Sequence, residues 1–353
     1  MAVKTQYWKV APHTGADDPS IREAAAILRR GGLVAFPTET VYGLGGNALE
    51  SATLAAIFTA KRRPRWDPII VHVSSIAMAQ ELVMEWPAEV DRLAQAFMPG
   101  PLTLLLDKRP VVPDACTAGS TKVGIRFPSH PVARALIEAA GRPIAAPSAN
   151  LFGGTSPTTA QHVLADLDGV IDGVLDAGPC SVGVESTVMD PCAKPPVIFR
   201  PGGISREQIE AALGMPVRLH VRKEETKEED APLSAESGSP GLSLRHYAPR
   251  ALLRLVYGEE DLTDIADNTL DRGLSLGIMR PTDWRLPGHI SRRAVLYEWG
   301  AIGDTETLAR RLYNGLHWLD SKKVAVILCP VPKDKGIGLA IHDRLIRAAT
   351  EKK

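Results

Sequence analysis

Between Arg222 and Gly241 the chain loses the means to bury itself, and that break constrains every fold the rest can adopt. Arg222–Asp230 reads Arg-Lys-Glu-Glu-Thr-Lys-Glu-Glu-Asp, and Ala231–Gly241 is rich in Ser, Pro and Gly. Such a stretch has too little apolar surface to offset the entropy of ordering it, so it reads as a linker. A chain of 353 residues is long enough for a separate core on each side of it. The expected organisation is a first domain over 1–217, a linker over 218–250 and a second domain over 251–353.

Both flanks read as α/β. In the first, Ser20-Ile21-Arg22-Glu23 has the form of a capping box opening a helix that runs to Arg30, where Gly31-Gly32 stops it. Leu33–Phe36 is then a short apolar strand that delivers Pro37–Gly46 as a loop. A helix is expected over Ala52–Arg62, with its cations in the last turn where they complement the dipole. Further strands are expected at Ile69–Val73, Leu102–Leu106, Val123–Phe127, Pro143–Ala146, Gly173–Asp176, Thr187–Asp190 and Val197–Arg200. Helices are expected at Pro131–Ala140, Pro157–Leu167 and Arg206–Leu213. Pro131 and Pro157 suit the first helical position, and Ser205 with Gln208 forms a second capping box. After residue 250, Leu252–Tyr257, Leu274–Met279 and Val324–Cys329 are continuous apolar runs, as in parallel strands covered on both faces. With amphipathic helices at Thr305–Asp320 and Ile337–Thr350, they predict a small Rossmann-like parallel unit.

Composition narrows the function classes. Lys and Arg total 41, as do Asp and Glu, so any recognition of a polyanion must be a local patch. The 4 cysteines (Cys116, Cys180, Cys192, Cys329) contain no Cys-x-x-Cys pair, which argues against a disulfide framework or a zinc site. Neither a secretory leader nor a long apolar span is evident, so a cytoplasmic protein with no membrane partner is expected. There is no Gly-x-Gly-x-x-Gly and no Gly-x-x-x-x-Gly-Lys-Ser/Thr, so the standard dinucleotide and P-loop modes are unsupported.

The chemistry concentrates between Pro37 and Val73: Pro-Thr-Glu-Thr-Val-Tyr-Gly-Leu-Gly from Pro37, Lys-Arg-Arg-Pro-Arg from Lys61, and Asp-Pro-Ile-Ile-Val-His-Val from Asp67. Lys61–Arg65 could be a solvated helix end. The recurrence of cations at strand ends, at Lys122, Arg126 and Arg200, favours a nucleotide site, since guanidinium forks match phosphate and carboxylate oxygens. Thr38 and Thr40 are turn residues or substrate-binding hydroxyls. Ser156 is a plain N-cap or part of an anion site at a helix start. His72 is a core histidine or a ligand. His246 and Tyr247, at the end of a linker with no core to explain them, read as docking residues. No triad spacing and no metal-ligand spacing stands out.

Together these motifs resemble the threonylcarbamoyl-AMP synthases in their long form, in which a YrdC-like domain is followed by a linker and a smaller C-terminal domain. The likeness extends through Pro99-Gly100-Pro101-Leu102-Thr103, Val123–His130, Ala146–Asn150, Ser156-Pro157-Thr158, Gly183–Thr187 and Arg200–Gly203. It continues in Ser239-Pro240-Gly241 with His246-Tyr247-Ala248-Pro249, and in Gly338-Leu339-Ala340-Ile341-His342-Asp343-Arg344-Leu345. The resemblance implies an α/β fold with a twisted mixed YrdC-like sheet. It implies nucleotidyl transfer in which L-threonine, bicarbonate and ATP give threonylcarbamoyl-AMP, pyrophosphate and water, the first step of a tRNA modification (t6A). Magnesium arrives with ATP, and no resident metal or cofactor is implied. Arg63, Asp67, Lys122, Ser148, Ser156, Arg200 and Tyr247 correspond to ATP contacts. Thr40, His72, Arg126, Ala146 and Ser186 correspond to L-threonine contacts, and Lys61 and Arg63 are the catalytic candidates, with Lys61 and Asn150 near the phosphates. Asp67 replaces a common asparagine, and Lys122 a small hydroxyl residue. Partners implied are a downstream tRNA threonylcarbamoyl transferase complex and, at most weakly, tRNA. The rival readings are a double-stranded RNA-binding module, a carbamoyl-transfer protein of the same fold, and a regulator whose second domain binds a ligand.

Overall fold

The computed structural model describes residues 4–220 and 246–349. Arg222–Gly241, and with it the Ser239-Pro240-Gly241 motif and the linker reading, lies outside the described residues.

The first helix, Pro19–Arg29, starts earlier than the sequence pattern suggests. Asp18 is its N-cap, accepting from the Ser20 amide at 2.8 Å, and Pro19 sits where a missing N–H is harmless. Ser20 and Glu23 therefore form no capping box, because the Asp-Pro pair already supplies the start. Glu23 instead accepts from Trp8 Nε1 at 2.9 Å. Ile21, Ala24 and Leu28 recur at helical spacing and pack with Val132, Leu136 and Ile137 of the helix Pro131–Ala140. Both helices cover one face of the sheet over Val34, Phe36 and Ile144. The Ser205–Gln208 capping box is formed as expected.

That sheet has 11 strands among the described residues. Their spatial order is Gln6–Lys9, Gly173–Asp176, Val34–Phe36, Gly43–Asn47, Ile144–Ala145, Val71–His72, Lys122–Arg126, Leu102–Asp107, Thr187–Asp190, Val197–Arg200 and Arg218–Leu219. It contains both parallel and antiparallel pairs, so it is a mixed sheet. Gly43–Asn47, expected as part of a loop, is a strand antiparallel to Val34–Phe36. Two registers set the site: His72 lies opposite Arg126, and Thr103 opposite both Arg126 and Val188. Strand ends carrying Arg126, His72, Thr187 and Arg200 are thereby drawn together.

The second sheet is parallel throughout, in the order Leu252–Val256, Val326–Pro330, Leu276–Pro281 and Val295–Gly300. Glu259–Asp271 and Gly288–Arg293 pack on one face, and Thr305–Ser321 and Gly338–Ala349 on the other. The latter pair joins a cluster that also contains Val41, Val184 and Tyr247 from outside this sheet's unit, so the two units share a dry contact. A Cβ on Gly183, which has φ +85°, would stand 2.4 Å from Arg310 Cα, so a residue without a side chain is needed there.

Candidate active site

The cleft is built from the strand-end loops upward. Thr38 starts it: its Oγ1 accepts from the amides of Thr40 and Val41 and donates to the Val41 carbonyl at 2.6 Å. These local bonds fix the Thr-Glu-Thr turn without help from a sheet ladder. Arg126, at the end of its strand, crosses to this turn and donates from Nη2 to Glu39 Oε1 and to Thr40 Oγ1, each at 2.8 Å. The Arg126–Glu39 pair is buried on both sides. Arg126 Nε is buried and has no hydrogen-bond partner among the described residues, which leaves one donor for a ligand. His72 lines the same end, its ring held edge-on to Phe36. Burial, reinforced by the Arg126 charge, lowers the His72 pKa to about 3, so its imidazole is neutral at neutral pH.

Opposite, Thr103 Oγ1 and Ser186 Oγ lie 2.8 Å apart, and Arg200 donates from Nε and Nη2 to the Ser186 carbonyl at 3.2 and 3.0 Å. Arg200 Nη2 also reaches Ser186 Oγ at 3.1 Å. Gly202 makes this possible, since a Cβ there would stand 2.2 Å from the Thr187 nitrogen and 2.3 Å from the Ser186 carbonyl carbon.

A third wall comes from Lys61–Pro68 and Ala146–Asn150. Lys61 is buried and donates from Nζ to the carbonyls of Ser148 and Asn150, locking the two segments together. Burial and then the Arg63 charge push its pKa well below the ordinary lysine value. Arg63 donates to the carbonyls of Asp67 (3.1 Å) and Pro68 (2.7 Å) and pairs with the Asp67 carboxylate at 3.0 Å. His246 and Tyr247 close the fourth side. The segment is pinned by Ala248 N donating to Gly153 O at 3.0 Å and His246 N to Arg347 O at 3.3 Å. Tyr247 is held at φ 64°, a backbone region that non-glycine residues enter only under constraint.

The resulting cleft is lined by Thr38, Gly43, Arg63, His72, Arg126, Ala146, Ser148, Glu185, Ser186, Arg200, His246 and Tyr247, among others. Of the sequence-derived candidates, Arg63, His72, Arg126, Ala146, Ser148, Ser186, Arg200 and Tyr247 are thus brought to one place. Thr40, Lys61 and Asp67 stand directly behind lining residues. Ser156 is displaced from its expected setting: the following helix is Ala160–Leu167, capped by Thr159, so Ser156 is no N-cap. Pro157 and Thr158 are held instead by carbonyl bonds from Tyr42 N and Cys180 N. Ser156 Oγ donates to Glu185 at 2.6 Å. Lys122 sits at the opposite end of the strand from Arg126 and pairs with Asp190. Among the described residues no group of three or more His, Cys, Asp or Glu side chains is gathered as a metal cage, and no helix is long and apolar enough to cross a membrane.

Two family models match consecutive parts of the chain. Residues 26–202 match the family described as "Telomere recombination", and residues 204–350 match "Threonylcarbamoyl-AMP synthase, C-terminal domain". The threonylcarbamoyl-AMP synthase of Bacillus subtilis is 41% identical over 354 residues, covering 98% of each chain. That of Pyrococcus abyssi is 42% identical over 335 residues, covering 93% of this chain and 94% of the relative. This chain belongs to the threonylcarbamoyl-AMP synthase family. The crystal structure of P. abyssi Sua5 complexed with L-threonine superposes with a TM-score of 0.88 at 38% identity, covering 98% of both chains. The mixed sheet and the parallel second unit are the architecture of that family.

As a threonylcarbamoyl-AMP synthase family member, the chain also places side chains at the cleft that the sequence did not single out individually. Glu39 orients Arg126, Glu185 lines the cleft, and Tyr313 and Arg344 reach Glu185 from the second unit. Arg344 had one available signal, its position inside the Gly338–Leu345 motif. Tyr313 had none, since an aromatic on an amphipathic helix reads as core.

Proposed function

We propose that this chain synthesises threonylcarbamoyl-AMP from L-threonine, bicarbonate and magnesium-bound ATP, releasing pyrophosphate and water. The observation that carries the reading is the charge of the cleft wall: Arg63, Arg126 and Arg200 stand against Glu185 as the lining groups of fixed charge. Such a row of guanidinium groups facing the cleft, two of them backed by Glu39 and Asp67, suits an anion with several charges, and it suits a substrate carboxylate beside a polyphosphate. The P. abyssi relative is known with L-threonine bound, which supports assigning one half of this cleft to threonine.

In this reading Arg126, with its open Nε, receives the threonine carboxylate. Thr40, His72, the Ala146 backbone and Ser186 surround the rest of the amino acid. A neutral His72 takes a hydrogen bond without repelling the amine. Arg63, Ser148, Ser156, Arg200 and Tyr247 serve ATP, with Lys61 and Asp67 holding that wall in place. The amine, once neutral, attacks the carbon of bicarbonate, giving a carbamate and water, or attacks carbon dioxide after bicarbonate has lost that water, giving the carbamate and a proton. A carbamate oxygen then attacks the α-phosphorus and pyrophosphate leaves. This transfer needs alignment and charge neutralisation more than a covalent nucleophile, and Arg63 is the group we assign to neutralisation, with Lys61 fixing the wall behind it. A site that hydrogen-bonds the threonine hydroxyl selects against alanine and valine, because either would leave buried polar groups unpaired. The division into a catalytic domain (1–217), a linker (218–250) and a C-terminal domain (251–353), a cytoplasmic location, and delivery of the product to a tRNA-modifying transferase are parts of the same proposal.

Pyrophosphate release from ATP, followed with threonine and bicarbonate omitted in turn, tests it. Release should require both. Release without either one, or salt-sensitive RNA binding with no release at all, would overturn the reading.

A further inference from the structure

The buried group that the proposed mechanism leaves without a task is Glu185. It is 6% exposed at the junction of the two units and collects donors from both. From the first unit, Ser156 Oγ donates to Oε1 at 2.6 Å. From the helix Thr305–Ser321, the Tyr313 hydroxyl lies 3.1 Å from Oε1 and 2.9 Å from Oε2. From the helix Gly338–Ala349, Arg344 Nε donates to Oε2 at 2.7 Å. Burial alone would raise the Glu185 pKa, but Arg344 and then Arg200 hold it below the usual carboxylate range.

Arg344 does more than neutralise. Its Nη2 donates at 2.9 Å to the carbonyl of Pro201, the residue after Arg200. Its guanidinium lies 5.0 Å from the centroid of the Tyr247 ring, within cation–π range. Asp343 Oδ2 accepts from its Nη1 at 2.5 Å, fixing the fork from the far side. One arginine of the second unit thus touches the supports of Ser156, Arg200 and Tyr247. These are the three ATP-side groups farthest along the chain, and none belongs to the threonine end around Arg126.

We propose that Arg344 and Tyr313 are positioning residues for the nucleotide half of the cleft, acting through Glu185 on Ser156 and directly on Tyr247 and the Arg200 loop. The second unit is then a working part of the active site. This rests on the assignment of that half to ATP made above. A carboxylate held by three donors on two units lets Ser156 keep one orientation only while the second unit is docked. Removing the Tyr313 donor frees Ser156 to rotate and leaves the threonine end untouched, whereas removing Arg344 also loosens the Arg200 loop, whose guanidinium bonds Ser186 on the threonine side.

The test compares Tyr313→Phe, Arg344→Lys and Arg344→Met with the parent chain, each as full-length protein. ATP affinity is read by calorimetry in the absence of turnover, ATP KM and kcat by pyrophosphate release, and threonine affinity by calorimetry without nucleotide. Tyr313→Phe keeps the ring and removes one donor to a charged acceptor, so ATP should bind about tenfold more weakly. Arg344→Met should weaken it further, with Arg344→Lys between the two; the threonine dissociation constant should stay within about twofold in Tyr313→Phe and change less than that of ATP in the Arg344 variants. Combining Tyr313→Phe with Ser156→Ala should add little to the larger single effect, because both act through the Glu185 contact. Unchanged ATP affinity in Tyr313→Phe and Arg344→Met would overturn the proposal. So would threonine and ATP affinity falling in parallel, which is what a merely structural role gives. Should Arg344→Met fail to fold, Tyr313→Phe carries the test alone. A parent chain that binds ATP but releases no pyrophosphate would refute the proposed reaction, and the calorimetric comparison would still decide the role of Arg344 and Tyr313.

Discussion

Asp67 is an acid facing a wall that is expected to hold phosphate. Its carboxylate lies 3.0 Å from Arg63 in a pair buried on both sides, and its own carbonyl accepts from Arg63 Nε. The side chain therefore aims the guanidinium rather than meeting phosphate itself. Asp67→Asn keeps the backbone acceptors of Arg63 and the shape of the turn, so ATP KM should rise by less than about tenfold and kcat should persist. A loss of a hundredfold or more in pyrophosphate release would mean that the acid takes part in metal or phosphate binding. Arg126 is less forgiving. Arg126→Met leaves Glu39 charged and buried without its partner, a change that costs about 3–5 kcal/mol in comparable pairs. Denaturant unfolding should register that loss, and threonine binding should disappear. Arg126→Met/Glu39→Gln should recover stability without recovering binding.

The elements that carry these residues were unevenly legible. Pro131–Ala140 shows its proline start, apolar stripe and glycine stop in the sequence, and Gly173–Asp176, Thr187–Asp190 and Val197–Arg200 stand out as bounded apolar runs. Gly43–Asn47 does not, because its Gly-Leu-Gly-Gly-Asn sequence has no strand propensity and is kept extended by its neighbours. The reason for its glycines is steric. A Cβ on Gly46 would stand 2.5 Å from a Thr53 methyl, and one on Gly45 would stand 2.8 Å from the Phe36 ring. Gly46→Ala should lower unfolding free energy by about 1–3 kcal/mol, the usual range for overpacking, as measured by denaturant titration. Gly202→Ala should act differently, since the obstruction is the backbone of Ser186 and Thr187. Threonine and ATP affinity should both fall at least tenfold, because the strand end that presents Ser186 and anchors Arg200 must move. Neither effect could be read from the chain, where a glycine gives no hint of what lies across from it. Arg126 and Arg200 were legible because each ends a bounded apolar run, but Lys122, at the other end of the Arg126 strand, shows that the run alone does not tell which end meets the cleft.

At the scale of the whole molecule, the contact between units contains a second feature beside Glu185. His162, on the helix Ala160–Leu167, and His317, on the helix Thr305–Ser321, stack with ring centroids 3.9 Å apart. A His317 Nε2–Ser156 carbonyl contact of 3.1 Å ties that stack to the cleft wall. Burial lowers the His162 pKa to about 3, with His317 adding to the effect, and burial also lowers that of His317 against the Ser156 carbonyl bond and then the pull of Asp166 and Asp320. His72 is likewise lowered to about 3. An unfolded histidine takes its proton near 6.5, so below that pH the unfolded chain binds protons that the folded chain refuses. Stability is therefore full above about 6.5 and lost as pH falls toward 3, at up to about 1.4 kcal/mol per unit for an enclosed histidine and less for the partly exposed His162. Glu185 has its pKa lowered, so its contribution is intact above the ordinary carboxylate value of 4.5 and plays no part between pH 7 and 5. Denaturant unfolding should accordingly show a lower free energy at pH 5 than at pH 7. His162→Asn/His317→Asn should be less sensitive over that interval, because its interface no longer excludes protons. Equal pH dependence in the double variant and the parent would show that the stacked pair does not couple acidification to the contact on which Ser156 depends.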